Sequence, residues 1–342
     1  MSFFPLRRRL AEISRVRRII EVLVRNGLGF LVEQLALDRF VPRFLRRRAV
    51  QTDRTVGRLT VPQRLRHTLE ELGATYIKLG QALSGRADLL PRSYIEELSK
   101  LLDQAPPVPP AKIREVIGNE LDSPVDEVFV QFEDTPIASA SIGQVHRATL
   151  PNGQEVVVKV QRPGIEAVVE ADLDLLLRQA RFLERRSEVM RDYNVVAIAE
   201  ELAQSLREEL DYKIEGRNAE RLRSNLRDDR RFVVPHVYWN LTRRRVITLE
   251  YLAGIQFNEL DRMRQAGHDL PSIARVTVEA YLKQIFVDGF YQADPHPANL
   301  MVIWEVEERI PQERLRLGLM DFGNAGYLTP RQKELLGDMF LQ

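Results

Sequence analysis

The sequence predicts an α+β fold, and three observations lead to that prediction. Helical patterns come first, over 6–48, 61–103 and 111–121, and strand-like runs begin only after residue 127. Helices then interrupt the strands irregularly rather than alternating with them one by one. Neither a P-loop (GxxxxGKS or GxxxxGKT) nor a dinucleotide-binding GxGxxG motif is present, which argues against a doubly wound nucleotide-binding sheet.

The composition excludes several classes of protein. With 44% hydrophobic residues, 18 glycines and 18 prolines among 342 residues, the chain is neither disordered nor fibrous, and its length suits two lobes with a core each. The absence of cysteine excludes disulfide scaffolds, thiol catalysis and cysteine-based metal sites. No uncharged apolar run approaches the roughly 20 residues that span a bilayer. Arg25 and Glu33 interrupt the best candidate for a signal peptide.

Charge is distributed unevenly, although the formal net charge is only +1. Residues 1–70 hold 16 arginines and six acidic residues, a net charge of +10, which leaves −9 for residues 71–342. Only seven of the 50 basic residues are lysine. A lysine in an apolar strand or in a loop therefore stands out as a candidate for a specific role.

The basic segment at 1–60 leaves its partner open. Ile13, Val16, Ile20, Leu23 and Val24 lie at helical spacing with arginines around them. Such a helix either lies on an anionic membrane surface or packs on the body of the protein, and the pattern does not choose between the two. We expect no nucleic-acid binding, because aromatic residues are not interleaved with the arginines.

The elements after the basic segment follow from periodicity and turn residues. Residues 61–103 predict two helices with a break at Pro91, and four prolines at 106–110 mark a linker before a short helix at 111–121. We expect strands at 128–132, 144–149, 155–161, 232–238, 245–251, 300–304 and 315–320. We expect longer helices at 165–187, 194–226, 257–266 and 272–290.

A loop of small residues precedes a strand that contains a lysine. The loop residues are Ala138, Ser139, Ala140, Ser141, Ile142, Gly143, Gln144 and Val145. Backbone N–H groups in such a loop can approach phosphates, and a lysine in a buried strand, here Lys159, needs an anionic partner. Each feature alone is equally well explained by an ordinary turn or by a surface charge on an edge strand. Their spacing matches the order of loop, strands and lysine in the N-lobe of a protein kinase.

Two polar motifs follow towards the end of the chain. Asp294 and Asn299 stand five residues apart in a loop, and Asp321 opens a DFG tripeptide after a hairpin. This is the order of the catalytic loop and the DFG motif in kinases. In that arrangement Asp294 accepts a proton from the attacking group or orients it, while Asn299 and Asp321 offer the hard oxygen ligands that Mg²⁺ prefers. A DFG tripeptide alone is weak evidence, but the ordered set of motifs is specific.

The apolar run 245–251 ends where a kinase has its hinge. There the carbonyl of Glu250 and the N–H of Leu252 could pair with adenine. Any strand end before a glycine, here Gly254, has the same appearance. The hinge prediction therefore depends on the other motifs.

With these motifs the sequence resembles the UbiB/AarF-type (ADCK-like) atypical kinases, a family associated with coenzyme Q and related isoprenoid lipids. The Lys-x-Gly-Gln motif of the family is present as Lys78, Gly80 and Gln81, and the alanine-rich loop 138–145 replaces the usual glycine-rich loop. The resemblance runs from about residue 60 to the end of the chain. In the catalytic loop, Ala298 occupies a position where members more often have glycine.

The resemblance implies a protein-kinase-like bilobal fold with an added N-terminal helical extension that bears the Lys-x-Gly-Gln motif. It implies that Lys159 pairs with Glu215 and contacts the nucleotide phosphates. It also implies that Glu209 and Asp211, the Glu-x-Asp motif, bind Lys78 over the groove where a protein kinase accepts its peptide. Without the resemblance, a solvated helix face would be the better interpretation of these three carboxylates.

The same resemblance divides the chain into the basic segment, the family extension at 61–121, an N-lobe with inserted helices at 122–252, and a C-lobe at 253–342. Gln342 lies only 21 residues after Asp321, so the C-lobe looks shortened. We therefore expect either a fragment or a member with a reduced C-lobe.

Alanine in place of glycine in the loop 138–145 bears on activity. The Cβ atoms at 138 and 140 restrict positive φ angles and keep the backbone from draping over the γ-phosphate. With the Lys78 helix across the substrate groove, phosphorylation of other proteins is disfavoured. We hypothesise Mg²⁺-dependent binding of ATP or ADP, with slow hydrolysis or phosphotransfer to a small or lipid molecule in ubiquinone or related quinone biosynthesis.

Two other functions stay open. A non-catalytic, nucleotide-gated scaffold could extract lipid or organise a quinone-biosynthesis complex without turnover. A small-molecule phosphotransferase shares a similar Asp–Asn–Asp core, although the motif at Lys78–Gln81 argues against it. As partners we expect an anionic membrane surface and an isoprenoid or quinone lipid, with quinone-biosynthesis proteins as a further candidate. The chain would then act as a peripheral protein at the cytoplasmic face of a membrane.

Overall fold

The computed structural model describes residues 4–35, 37, 59–102, 105–303 and 316–341. The chain forms two compact units. The first comprises Met1–Pro106, Ser139–Ile142 and Gly164–Arg207, and the second comprises Pro107–Ala138, Gly143–Pro163 and Glu208–Gln342. Among the described residues the first unit is largely helical, whereas nearly all strands belong to the second.

The helices follow the apolar periodicity of the sequence. In chain order they are α1 (Phe4–Arg25), α2 (Gly29–Gln34), α3 (Val61–Leu72), α4 (Ala74–Ser84), α5 (Arg92–Leu98), α6 (Pro110–Leu121), α7 (Val125–Val128), α8 (Ile165–Arg186), α9 (Glu188–Asp192), α10 (Val195–Glu209), α11 (Tyr212–Leu226), α12 (Leu260–Gln265), α13 (Leu270–Leu282) and α14 (Pro330–Leu341). A π-helical turn, Lys283–Asp288, continues α13. Within the described parts of the chain, no helix is long and apolar enough to cross a membrane.

The strands are β1 (Gln131–Phe132), β2 (Ala138–Ser139), β3 (Gly143–Thr149), β4 (Glu155–Gln161), β5 (Phe232–Val233), β6 (Val246–Glu250), β7 (Gly254–Gln256), β8 (Phe290–Gln292), β9 (Leu300–Ile303), β10 (Leu317–Leu319) and β11 (Ala325–Tyr327). In the second unit they pair in the orders β1-β3-β4-β6, β5-β10-β9-β7 and β8-β11. Neighbours are antiparallel except β5 and β10, which are parallel. This mixture of sheets and irregularly placed helices is the predicted α+β fold.

The first unit has its core between α1, α3, α4, α5 and α8. Val16 and Leu23 of α1 are buried in this core, and Ile20 and Val24 pack against it. Protein therefore covers the apolar residues of α1 between Val16 and Val24. Of the two alternatives that the sequence leaves for the basic segment, this is the packing expected of a helix on the body of the protein. The part of the segment at 38–58 lies outside the described residues.

A buried ion pair joins α1 to α8 in the same core. Arg15 donates from Nε and Nη2 to the two carboxylate oxygens of Asp172, at 2.6 and 2.7 Å. Its Nη2 also donates to the carbonyl of Leu72 at 2.7 Å, which fixes the end of α3. The Asp172 side chain is fully buried, so its hydrogen bonds to Arg15 take the place of the water that its carboxylate loses on folding.

The helical extension contains three helices where the sequence pattern predicted two. The additional break is at Gly73, whose φ of +93° ends α3 and starts α4. The pattern gave no warning because a single glycine inside a helical repeat is usually tolerated.

The motif helix α4 packs closely against the chain that follows α5. A Cβ at Gly80 would collide with Leu101 and would lie 2.8 Å from a methyl carbon of Leu69. Gln81 donates to the carbonyl of Leu101 at 3.2 Å. Two residues of the Lys-x-Gly-Gln motif thus hold this packing, whatever else the motif does.

The rest of the structure differs from the sequence prediction in several places. The strand predicted at 232–238 is only the two-residue β5, and the pattern does not predict β7, β8, β11 or α14. The predicted strand 128–132 begins instead with the helical turn α7, which follows Pro124. The predicted helix 194–226 divides into α10 and α11, because the Asp211 side chain accepts a hydrogen bond from Lys213 N and caps the start of α11. The predicted helix 272–290 ends in the π-helical turn. In contrast, β3, β4, α6 and α8 lie within one residue of their predicted bounds.

Candidate active site

Lys159 and Glu215 meet in the core of the second unit. Lys159 lies on β4, and Glu215 lies in the first turn of α11, whose apolar side chains pack against the sheets. The Lys159 ammonium donates to both carboxylate oxygens of Glu215 at 2.9 Å. The structure thus brings together two residues that are 56 positions apart.

A second carboxylate lies beside this pair. Asp321 follows the end of β10, and its Oδ1 is 3.8 Å from the Lys159 ammonium. The Asp321 side chain is 44% exposed, whereas that of Glu215 is 4% exposed. Gly323 N donates to Asp321 Oδ1 at 2.9 Å, which orients the carboxylate from within its own turn. Lys159 therefore lies between a buried carboxylate and one that is open to solvent.

The electrostatics of this cluster have two consequences. Burial by itself would lower the pKa of Lys159, but the charges of Asp321 and Glu215 outweigh it and raise the pKa well above its ordinary value. Burial raises the pKa of Glu215 to about 7 in spite of Lys159, and the charge of Asp321 adds to that rise. Lys159 is thus a fixed cation, whereas Glu215 titrates near neutral pH.

Tyr212 covers the other side of Lys159. The ring centroid lies 5.2 Å from the ammonium, and the tyrosine is almost fully buried. A Cβ at Gly143 would collide with the Tyr212 hydroxyl and lie 2.8 Å from the carbonyl oxygen of Val160. Gly143 is therefore required for this close packing, independently of any role at a phosphate.

Asp294 and Asn299 lie in one loop between β8 and β9. Asn299 Nδ2 donates to the carboxylate of Asp294 at 3.1 Å and to its carbonyl at 3.3 Å. The carbonyl of Asn299 accepts a hydrogen bond from Met320 N at 3.0 Å, so Asn299 lies beside the chain that leads into Asp321. Asp294 is exposed, as a group that meets a substrate must be.

Magnesium fits the donors at this edge of the sheet. Lys159 lies beside the carboxylates of Asp321 and Glu215, and the negative charge of Glu209 contributes to the raised pKa of Glu215. Carboxylate and amide oxygens are the ligands that Mg²⁺ takes, together with waters and phosphates. Among the described residues, no group of three or more acidic or histidine side chains could hold a metal alone. Asp321 and Asn299 would hold such an ion together with waters and phosphate oxygens.

The loop predicted to bind phosphates divides between the two units. Ala138, Gly143, Gln144 and Val145 belong to the second unit, and 139–142 belong to the first. The Gln144 side chain is turned inward, where it accepts a hydrogen bond from the N–H of Val108 and lies 3.3 Å from His146 Nε2. This side chain therefore anchors the linker, and only its backbone could serve a nucleotide.

Of the residues predicted to form a hinge, Glu250 ends β6 and Leu252 follows it. The Glu250 side chain accepts a hydrogen bond from His236 N at 3.1 Å, and Glu250 N donates to the His236 carbonyl at 2.9 Å. Leu252 lies over β10, where a Cβ at Gly318 would be 3.2 Å from its methyl group. Glycine at 318 leaves room for this side chain.

The residues of the implied clamp have different surroundings. Glu209 ends α10 and lies close enough to Glu215 to raise its pKa, and Asp211 caps α11. Lys78 lies on α4 in the first unit and is partly buried. Binding of Lys78 to the Glu-x-Asp motif stays a prediction.

Sequence reasoning missed two buried amides next to Asp321. Asn218 Nδ2 donates to the carbonyl of Phe322 at 2.9 Å, and Gln292 Nε2 donates to the carbonyl of Asp321. Asn218 follows Glu215 by three positions on α11, so helical spacing from Glu215 could have indicated it. Gln292 opens the catalytic-loop stretch QADPHPAN, which carries Asp294 and Asn299, so its place in that motif was the available signal, although its inward hydrogen bond was not predictable.

Comparisons with known proteins identify the family of this chain. Residues 100–342 match the family model of the ABC1 atypical kinase-like domain, which is more than half of the chain. The chain belongs to this family. Its fold is accordingly protein-kinase-like, and the resemblance that the motifs indicate is confirmed.

Two curated relatives extend the comparison. The chloroplastic Protein Activity of BC1 Complex Kinase 7 of Arabidopsis thaliana is 42% identical over 276 residues, which cover 81% of this chain and 38% of the relative. The Probable protein kinase UbiB of Marinobacter nauticus is 38% identical over 279 residues, which cover 82% of this chain and 50% of the relative. The chain thus spans half or less of the length of these two relatives.

A solved structure gives the same fold. Rv3197 of Mycobacterium tuberculosis, determined in complex with erythromycin, is 33% identical and superposes with a TM-score of 0.52. The match covers 76% of this chain and 63% of that one.

Proposed function

We propose that this chain binds Mg²⁺–ATP and acts as an atypical kinase or ATPase. The observation that carries the proposal is the arrangement of Lys159 between buried Glu215 and exposed Asp321. A lysine held by a buried glutamate can reach phosphate oxygens, while the exposed aspartate offers a metal ligand beside it. The membership of the ABC1 atypical kinase-like family supports the same assignment.

Each residue has a defined part in this proposal. Lys159 binds phosphate, and Glu215 orients its ammonium. Asp321 and Asn299 hold Mg²⁺, which neutralises phosphate charge when it is bound. Asp294, exposed and hydrogen-bonded to Asn299, accepts the proton of the attacking hydroxyl or water. The backbone N–H groups at Gly143–Val145, at the start of β3, approach the phosphates. The hinge at Glu250–Leu252 pairs with adenine.

The direct test is nucleotide-dependent thermal stabilisation. We expect Mg²⁺–ADP at saturating concentration to raise the Tm of the wild type, and Asp321→Asn to lose most of this shift. The matched control is Asp338→Asn on α14, an exposed aspartate outside the site. Equal stabilisation of the wild type and of Asp321→Asn would contradict the metal-ligand role, and no stabilisation of either would contradict nucleotide binding itself.

We further propose that the substrate belongs to quinone or isoprenoid-lipid metabolism at an anionic membrane surface. The resemblance to UbiB-type proteins supports the lipid class, and the UbiB relative is named a probable protein kinase. Because protein covers the apolar residues of α1 between Val16 and Val24, we expect membrane contact of this part of the helix to be electrostatic. Arg17, Arg18 and Arg25 keep side chains that are 39% to 46% exposed.

Co-sedimentation with vesicles tests the membrane part. We expect binding to vesicles that contain phosphatidylglycerol at low salt and its loss at about 0.5 M salt, because screening removes contacts between exposed charges. Binding that survives high salt would indicate insertion instead, and absence of binding at low salt would rule out this part of the proposal. Turnover of ATP with and without these vesicles then separates an enzyme from a nucleotide-gated scaffold.

A further inference from the structure

Two buried side-chain amides hold successive carbonyl groups of the DFG segment. Gln292 at the end of β8 donates to the carbonyl of Asp321, and Asn218 on α11 donates to the carbonyl of Phe322 at 2.9 Å. Gln292 is 1% exposed and Asn218 is 8% exposed. Two different elements of the second unit, β8 and α11, thus fix the backbone at the residue that carries the exposed carboxylate, Asp321.

Gln292 is itself fixed by two further hydrogen bonds. Its Oε1 accepts a hydrogen bond from the Tyr281 hydroxyl at 2.8 Å. Its backbone N–H donates to Gln284 Oε1 at 3.0 Å, and Gln284 is fully buried in the π-helical turn after α13. The position of Gln292 is therefore set from α13 and from this turn, not by its own strand alone.

These contacts oppose any reversal of the DFG backbone. Rotation of the Asp321 or Phe322 peptide would take two carbonyls away from donors that have no water to replace them. It would also move Phe322, whose side chain is fully buried in the core of the second unit. The N–H of Gly323, bonded to the Asp321 carboxylate, would lose its partner as well.

We infer that Asn218 and Gln292 are positioning residues that keep the DFG segment in one backbone orientation before any nucleotide arrives. In this orientation Asp321 points its carboxylate towards Lys159 and away from the core. The part that concerns magnesium rests on the proposed function, whereas the part that concerns backbone orientation does not. Regulation of this chain would then act elsewhere than on the DFG segment.

Hydrogen–deuterium exchange on the full chain without nucleotide tests the orientation. We expect the amides of 320–327 to be protected in the wild type and to exchange at least about tenfold faster in Gln292→Leu and Asn218→Leu, because each change leaves a buried carbonyl without its donor. Gln265→Leu and Asn240→Leu, which alter exposed amides, serve as matched controls. Unchanged exchange in both Gln292→Leu and Asn218→Leu would overturn the inference.

Gln292→Asn provides a milder variant in case the leucine variants do not fold. It keeps the amide but shortens the side chain by one methylene, so we expect intermediate exchange. Exchange as slow as in the wild type would show that the hydrogen bond to Asp321 is not what protects the segment.

The magnesium part has a separate readout, the affinity for a fluorescent ADP analogue with Mg²⁺ or with EDTA. We expect Gln292→Leu to weaken binding about tenfold in Mg²⁺ and to leave binding in EDTA unchanged, because only the metal contact depends on Asp321. Equal weakening in both conditions would indicate general disruption and would overturn the positioning role. A wild type that binds no nucleotide would instead refute the proposed function, and the exchange experiment would still decide the orientation.

Discussion

Two buried ion pairs, one in each compact unit, have similar charges but different surroundings. In the first unit, Arg15 holds fully buried Asp172 with two hydrogen bonds and uses a third on the Leu72 carbonyl. In the second unit, Lys159 holds buried Glu215, but a further carboxylate, Asp321, lies only 3.8 Å from the ammonium. The first pair joins one cation to one carboxylate, whereas in the second unit two carboxylates lie beside one ammonium.

Burial in the second pair disfavours the charged form of Glu215. Glu215 has a pKa of about 7, because burial and the neighbouring Asp321 disfavour its charged form. A carboxylate held in this way is destabilising unless a ligand compensates for it, and such perturbed groups concentrate at functional sites. Burial raises the pKa of Asp172 in the first unit as well, so the distinction between the two pairs rests on geometry, because only the second pair has an exposed carboxylate, Asp321, beside it. On that ground we interpret the pair in the first unit as structural and the cluster in the second as a site for a cation and phosphates.

Arg15→Met should produce the largest loss of stability. It leaves the Asp172 carboxylate buried without a partner, which typically costs about 3–5 kcal/mol. Urea unfolding followed by circular dichroism measures the change, with Arg92→Met as the control, because the Arg92 side chain is 93% exposed. A loss below about 1 kcal/mol would mean that Asp172 takes up a proton or water without difficulty, and the contrast between the units would fail.

Lys159→Met should cost less stability than Arg15→Met but much more nucleotide turnover. Because Glu215 titrates near pH 7, it can accept a proton when its partner is removed, so at pH 6 we expect a loss of only about 1–2 kcal/mol. We expect nucleotide turnover to fall on the order of 100-fold or more, since the phosphate contact is lost. Lys112→Met, which alters an exposed lysine on α6, is the control. If Lys159→Met costs as much stability as Arg15→Met, the two pairs are both structural.

Much of the second unit could be predicted from its sequence. Strands β3 and β4 lie within one residue of their predicted bounds because β-branched residues, including a run of three valines in β4, lie on both sides of a turn at Gly153, whose φ is +84°. The pairing of Lys159 with Glu215 needed the family resemblance, because 56 residues separate them and no local rule connects a strand lysine to a helix glutamate.

The polar contacts that determine both buried sites could not be predicted. Arg15 looks like one of many surface arginines, and Asp172 looks like a charge on the solvated face of a long helix. Asn218 looks equally ordinary, and the place of Gln292 in the stretch QADPHPAN does not show which group its side chain bonds. Whether such a residue is buried depends on which elements pack over it, and that information is spread over the whole chain.

The pH dependence of the free energy of unfolding tests the second of the two ion pairs, Lys159–Glu215. The pKa of Glu215 in the folded protein, about 7, is above its ordinary value, so the folded state binds more protons than the unfolded state between about pH 4.5 and 7. Its contribution therefore destabilises the wild type as pH rises through this window, by on the order of 2 kcal/mol. We expect Glu215→Gln to remove this dependence.

The measurement is the free energy of unfolding in urea at several pH values, and Glu334→Gln on α14, an exposed position, is the control. A pH dependence that is the same in Glu215→Gln and in the wild type would show that another group is responsible. Loss of the dependence in the control would have the same meaning.

The smallest expected effect concerns Asp211, which has both a local and a long-range interpretation. The structure shows the local one, since Asp211 accepts a hydrogen bond from Lys213 N at 3.0 Å and caps α11, the helix that carries Glu215 and Asn218. Asp211→Ala should therefore cost about 1 kcal/mol, whereas Asp211→Asn should cost little, because asparagine caps as well as aspartate. Urea unfolding distinguishes the two variants, and equal losses would contradict the capping role.

Nucleotide turnover in the same two variants separates the interpretations. If capping is the whole role of Asp211, Asp211→Asn should retain wild-type turnover. If the negative charge also binds Lys78, as the family resemblance implies, turnover should change in Asp211→Asn and in Lys78→Met to the same extent, and combining the two should add nothing further. Asp211 would then link Lys78 of α4 to Glu215 of α11, so that the motif on α4 affects nucleotide turnover through one side chain.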